Sequence, residues 1–213
     1  METNQEAALN IAEFLLQIKA IKLQPDNPFI WASGWKSPIY CDNRITLSYP
    51  KVRTYIRQEF VDIITNTFGK PDIIAGVATG GIAQAALVAQ QMGLPLVYIR
   101  SEAKKHGLTN LIEGVVEPGQ SVVVIEDLIS TGGSSLKAVE ALREAGCEVK
   151  GMAAIFTYGF KAASENFKNA NCKLVTLSDY ETLIKQALES SFITEKDLVS
   201  LQKWRENPSN WNN

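Results

Sequence analysis

The chain contains a single histidine, His106, and its three cysteines, Cys41, Cys147 and Cys172, show no Cys-x-x-Cys spacing. Neither a zinc site of the usual Cys/His kind nor a disulfide framework is supported by that inventory. Long apolar runs are missing too: residues 122–125 and 152–156 fall far short of the ~20 needed to cross a bilayer. Excess charge is also absent, with 21 Lys and Arg against 23 Asp and Glu and a formal net charge of -2. No whole-molecule attraction to nucleic acid or to an anionic membrane is therefore expected. No repeat, low-complexity tract or Pro/Gly/Ser linker divides the chain, which reads as one domain over 1–213. The opening residues Met1-Glu2-Thr3-Asn4-Gln5-Glu6 are acidic and polar, unlike the basic start of a secretion signal. These absences predict a cytoplasmic protein with reduced thiols. The remainder, 46% hydrophobic and 21% charged, suits an ordinary globular domain and excludes a disordered or fibrous one.

Periodicity then orders the chain. Ala8, Ile11, Ala12, Leu15 and Leu16 recur at helical spacing, as do Val52, Ile56, Phe60, Ile63 and Ile64 before Gly69. Residues 28–44 between them are rich in aromatics, Ser, Gly and Pro and read as short strands or loops. From Asp72 onward, short apolar runs at 73–75, 96–99, 121–125, 149–156 and 173–176 read as strands. Helical stretches are expected at 82–92, 133–144, 162–169, 180–189 and 195–204. Apolar strands alternating with helices imply right-handed crossovers and a mostly parallel sheet covered on both faces. The fold class is thus α/β, and ligands are expected beyond the C-terminal strand ends, just after Ala75, Ile99, Ile125 and Phe156. Trp204 and Trp211 have no evident role beyond core or docking contacts.

The densest chemistry follows the run Val122-Val123-Val124-Ile125, in Glu126-Asp127-Leu128-Ile129-Ser130-Thr131-Gly132-Gly133-Ser134-Ser135. Gly132 and Gly133 clear space for backbone N–H groups to close on an anion, and the four Ser and Thr hydroxyls add donors. A helix starting here would direct its positive end at a phosphate. Glu126 and Asp127 would repel that phosphate, but they suit sugar hydroxyls or the water around Mg²⁺. A phosphorylated ribose needs both halves. Walker A is excluded because no Gly-Lys-Ser/Thr follows, and G-x-G-x-x-G is also missing. A capped turn that merely begins a helix remains the plain alternative.

Residues 125–135 resemble the phosphoribosyl pyrophosphate signature of the type I phosphoribosyltransferases. The resemblance implies a Rossmann-like sheet core near 70–180 beneath a small N-terminal hood near 1–50. It assigns Glu126 and Asp127 to the ribose hydroxyls and Ser130, Thr131, Gly132, Gly133 and Ser134 to the 5′-phosphate, with Leu128 and Ile129 between them also among the phosphoribosyl pyrophosphate-binding residues. Mg²⁺ is implied as a cofactor held mainly by the substrate and water, near Glu126 and Asp127. The segment Arg100-Ser101-Glu102-Ala103-Lys104-Lys105-His106-Gly107 looks like the catalytic loop of the orotate phosphoribosyltransferases, with Ser101 where some members have lysine. By that match Arg100, Lys104 and His106 contact pyrophosphate, and the loop reaches the neighbouring subunit's site in a homodimer. Its polar continuation at 108–114 has the composition of a mobile lid.

Ser33-Gly34-Trp35-Lys36-Ser37-Pro38-Ile39-Tyr40 resembles the same family's Ser-Gly-x-x-Ser-Pro element, which brings Lys36 to the phosphates and Tyr40 to the base. In Gly76-Val77-Ala78-Thr79-Gly80-Gly81, glycine stands where some members place lysine, which leaves Thr79, Gly80 and backbone amides for pyrophosphate. The arginine that one branch uses for orotate is absent around 156–160, so Ser130 and backbone groups are expected there, and Arg44 is a further candidate. The implied activity is transfer of ribose 5-phosphate to orotate in pyrimidine biosynthesis. Two other readings stay open: a ligand-sensing regulator that keeps the cradle without catalysis, and an enzyme acting on another base such as a purine.

Overall fold

The protein is described here by a computed structural model covering residues 4–31, 34–101 and 111–211. Helix α1 (Gln5–Gln17) buries Ala8, Ile11, Ala12, Leu15 and Leu16 along one stripe, and Asn4 caps it by accepting from the Glu6 N–H. Four short strands follow: β1 (Ile21–Leu23), β2 (Phe29–Ile30), β3 (Lys36–Ser37) and β4 (Ile39–Cys41). They form two small antiparallel pairs, β1 with β4 and β2 with β3. A 3₁₀ turn (Asn43–Ser48) leads into α2 (Pro50–Phe68), whose proline lies where a helix start tolerates it.

The alternating part comprises β5 (Ile73–Val77), α3 (Gly80–Met92), β6 (Leu96–Ile99), β7 (Ile112–Glu113), β8 (Ser121–Ile129) and α4 (Gly133–Glu144). It continues with β9 (Glu148–Thr157), α5 (Lys161–Asn169), β10 (Leu174–Asp179), α6 (Tyr180–Glu189) and α7 (Glu195–Glu206). The six-stranded sheet has the order β10-β9-β8-β5-β6-β7 and is parallel except for the β6–β7 pair. Side chains alternate across it, as the period of two requires. Val123, Ile125, Ala153 and Ile155 join the core built with α1, α2 and α3, while Val122, Val124, Met152 and Ala154 join the one with α4 and α5. Each large side chain buried this way contributes about 1.5–3 kcal/mol. Trp204 and Trp211 both belong to the first core.

Of the boundaries that differ from the sequence reading, two lie at the crevice. Strand β8 does not stop at Ile125 but continues through the acidic pair to Ile129, because β9 lies alongside and pairs Glu126 with Ala154 and Leu128 with Phe156. Ladder bonds and a buried neighbour override the poor strand preference of acids. Helix α3 begins at Gly80, earlier than its apolar periodicity begins. Strands β1 and β7, of three and two residues, are too short to register as periodic patterns. Among the described residues no helix is long and apolar enough to cross a membrane.

The sheet order sets the site. From β5 the chain steps outward to β6 in one direction, and from β8 to β9 and β10 in the other. The connections leaving β5 and β8 therefore diverge, opening a crevice beyond their C-terminal ends.

Candidate active site

Strand β8 delivers the cradle to that crevice. After Ile129 the chain turns through Ser130 and Thr131, and Gly132 takes the left-handed conformation at φ 82° before α4 begins. A Cβ at Gly132 would lie 2.6 Å from the Phe167 ring, so the turn needs glycine for both conformation and space. At Gly133 a Cβ would meet nothing within 4 Å. That open side faces the first turn of α4, whose amides receive no side-chain cap. Exposed Gly133 and Ser134 thus sit at a helix N-terminus with donors available for an anion. The Thr131 carbonyl accepts from Asn166 Nδ2 at 3.0 Å, which ties the turn to α5. Leu128 packs on the first core and Ile129 lies in the second, so both side chains are taken up by packing.

The two acids occupy different environments. Glu126 is 5% exposed; its Oε1 accepts from the Asp127 N–H at 2.9 Å and its Oε2 from Ser135 Oγ at 2.8 Å. Burial first, and then the neighbouring Asp127 carboxylate, push the Glu126 carboxyl up to about 8. Asp127 is half-buried at the crevice. Its carbonyl accepts from Asn43 Nδ2 at 2.5 Å, and its carboxylate rests so close to Gly80 that a Cβ there would lie 2.3 Å away. Ser135, counted above among the phosphate donors, instead spends its hydroxyl on Glu126 and is 2% exposed. Its place one turn into α4 points it back at the strand.

The loop after β5 meets this pair from the other side of the crevice. Thr79 and Gly80 begin α3, and a Cβ on Gly81 would lie 2.5 Å from the Ile125 carbonyl. Glycine at these positions lets a helix start press directly against β8. Physically, this accounts for Gly80 at the position where lysine was considered: the Asp127 carboxylate takes up the space.

Arg100, at the end of β6, pairs with Glu113 at 3.4 Å, and its N–H bonds to the Leu111 carbonyl. Because β6, β5 and β8 run parallel, Arg100 lies at the same end of the sheet as the cradle, two strands from β8. Lys104 and His106 lie outside the described residues, as does Ser33.

In the N-terminal strands, Ser37 is fully buried and its hydroxyl bridges the Ile39 main chain around Pro38, donating to the carbonyl at 2.8 Å. Lys36 precedes it on β3 and is exposed. Tyr40 is 40% exposed with its ring 5.5 Å from Phe29. Arg44 makes a two-pronged ion pair with Asp42, at 2.7 and 2.9 Å, which holds the Asp42 carboxyl below its usual range. Its charge is thus already matched locally.

Asn43 escaped the sequence reading although it is 1% exposed and bridges the N-terminal strands to Asp127. Its amide oxygen takes a contact from Cys41 Sγ at 3.4 Å, while the Thr46 hydroxyl donates to its carbonyl at 2.6 Å. Gln84 Nε2 of α3 donates in turn to that hydroxyl at 3.1 Å. Burial is the main reason the Cys41 thiol is pushed well up, so it remains an S–H donor. Only its adjacency to the Ser-Pro element could have drawn notice to Asn43; a contact spanning 84 residues leaves no trace in local pattern.

The phosphoribosyl transferase domain family matches residues 45–185. An orotate phosphoribosyltransferase of Phocaeicola vulgatus is 62% identical over 200 residues, covering 94% of this chain and 94% of the relative. One from Porphyromonas gingivalis is 59% identical, covering 94% and 96%. Among solved structures, the orotate phosphoribosyltransferase of Aeropyrum pernix is 27% identical with a TM-score of 0.76, covering 86% of this chain and 99% of that one.

Two outcomes test this geometry. Between about 4.5 and 8 the folded protein keeps a proton on Glu126 that the unfolded chain has released, so stability falls as pH rises through that window. Melting temperatures of the metal-free protein should show this decline, and Glu126→Gln should flatten it. The carboxyls of Asp42, Asp72 and Asp197 are shifted downward and act only at more acidic pH. Gly80→Ala should displace the Asp127 carboxylate and weaken phosphoribosyl pyrophosphate binding on the order of tenfold or more by calorimetry; wild-type affinity would contradict the contact.

Proposed function

The chain belongs to the orotate phosphoribosyltransferases, and from that membership we propose how its own residues divide the work. The reaction transfers the ribose 5-phosphate group of 5-phospho-α-D-ribose 1-diphosphate to orotate, giving orotidine 5′-phosphate and pyrophosphate in pyrimidine biosynthesis. The bond from C1 to pyrophosphate loosens as the orotate nitrogen closes on C1, so positive charge develops on the sugar and negative charge on the leaving group. The observation that carries the assignment of roles is the uncapped start of α4, which follows the acidic pair at the end of β8 and is tied to it by the Ser135–Glu126 bond. It supports a phosphate at Ser130, Thr131, Gly132, Gly133 and Ser134, with ribose hydroxyls directed to Asp127; Glu126, expected from the resemblance to share that role, is buried with both oxygens bonded and instead braces the strand behind it.

The pyrophosphate lies toward Thr79, Gly80 and the N–H groups beginning α3. Lys36, Arg100, Lys104 and His106 supply positive charge as the leaving group departs. His106 serves as an acid toward pyrophosphate, since imidazole titrates near neutrality. The hood residues up to about 50 cover the base, with Tyr40 and Ser130 against orotate. Arg44 is left out of orotate recognition because its guanidinium is committed to Asp42.

Among the described residues no three-ligand His/Cys/Asp/Glu cluster exists. Mg²⁺ typically keeps several waters and binds through substrate phosphates with few carboxylates, so the lone accessible carboxylate of Asp127, with Glu126 beside it, fits such an ion. When bound, it neutralises charge on the diphosphate. The protein acts as a homodimer in which Lys104 serves the neighbouring subunit's site. A cytoplasmic location suits the three free cysteines.

With Mg²⁺ and phosphoribosyl pyrophosphate, the purified protein should consume orotate and leave uracil, adenine and hypoxanthine untouched. Lys104→Ala should lower kcat on the order of 10²-fold with little change in orotate binding. Unchanged turnover would remove Lys104 from the mechanism.

A further inference from the structure

The loop after β9, Tyr158-Gly159-Phe160, leaves the sheet beside the cradle: Thr157 is in register with Ile129, and the Tyr158 N–H bonds to the Ile129 carbonyl at 3.1 Å. Its own sequence carries no cation. One arrives from α7. Arg205 Nε donates to the Tyr158 carbonyl at 3.3 Å and Nη2 to the Gly159 carbonyl at 3.4 Å, while Nη1 pairs with Glu181 at 2.8 Å. Gly159 is left-handed at φ 66°, and a Cβ there would lie 2.9 Å from Arg205 Nη2. The loop is therefore shaped to receive this guanidinium.

The preceding residue works on the side chains of the same loop. Trp204 is fully buried, with ring centroids 5.8 Å from Tyr158, 5.5 Å from Phe160 and 5.6 Å from both Tyr180 and Trp31. Trp31 lies 5.1 Å from Tyr158, and its indole N–H donates to the Ile39 carbonyl at 3.1 Å, next to Tyr40. A chain of rings thus runs from α7 through the loop to Trp31, whose indole bonds to β4. None of these contacts reaches the start of α4, the Asp127 carboxylate or Gly80.

We propose that Trp204 and Arg205 are positioning residues for the nucleobase half of the site, setting the Tyr158–Phe160 loop and, through Trp31, the strand that carries Tyr40. The proposal rests on the reading above, in which the base lies between that hood and the cradle. Arg205 holds the loop backbone by its carbonyls and does not touch substrate. Its partner Glu181 is 75% exposed, and a pair of that kind adds little to global stability. Its loss should therefore appear in catalysis before it appears in melting.

The test uses the full chain, with KM for each substrate, kcat and melting temperature measured for Arg205→Ala, Arg205→Lys and Gly159→Ala. Arg205→Ala should raise the orotate KM about tenfold and the phosphoribosyl pyrophosphate KM severalfold less, since the loop meets the cradle through bonds at the Ile129 carbonyl that do not involve Arg205. Arg205→Lys, which keeps a donor and the charge, should recover part of the loss. Gly159→Ala, whose methyl group displaces the guanidinium from the other side, should reproduce the split even if Arg205→Ala folds poorly. Equal rises in both KM values, or no rise in either, overturns the proposal. A wild-type protein that does not turn over orotate would instead remove the reading on which the proposal stands.

Discussion

The site depends on the placement of Asp127. Its main chain is held by Asn43 from the N-terminal segment, its carboxylate is pressed against Gly80 at the start of α3, and it extends the same strand that leads into the cradle. Three separate stretches of chain meet on one residue at the point where the sheet order diverges. Beside it, Glu126 is buried, and burial together with the neighbouring Asp127 carboxylate raises its pKa. The Asp127 carboxylate faces the crevice, and Glu126 braces β8 against α4 through Ser135.

Around that junction the site divides by chemistry. The phosphate side consists of glycines, amides and hydroxyls at the starts of α3 and α4, where close backbone approach matters more than side-chain reach. The side proposed for the base is backed by linked rings, Trp31, Tyr158, Phe160 and Trp204. Such a wall is stiff, and it links the C-terminal helix to the strands nearest Tyr40. The buried polar chain from Gln84 through Thr46 and Asn43 to Asp127 is the counterpart that links the two sides. Polar networks of this kind specify one arrangement because each broken member strands another.

The sequence made much of this legible because local rules govern it. Apolar runs marked the central strands, helical spacing marked α1 and α2, and the Ser/Thr/Gly turn after two acids marked the cradle. What stayed hidden is set by contacts between distant residues. Strand β8 outran its expected end because β9 pairs with it; Ser135 turned inward because Glu126 lies across from it; Asn43 and Arg205 reach partners 84 and about 46 residues away. The acids looked alike on paper, and only burial separates them. Lys104 and His106 were read from resemblance alone, so their roles rest on the family and on mutation.

The central claim is that the N-terminal segment sets the sugar site through Asn43. Calorimetric titration of Asn43→Ala with phosphoribosyl pyrophosphate and Mg²⁺ tests it most directly. Loss of one buried hydrogen bond, about 1–2 kcal/mol, corresponds to roughly tenfold weaker binding, and the account predicts that loss in a protein that still melts cooperatively. A folded variant that binds phosphoribosyl pyrophosphate as tightly as the wild type would contradict it.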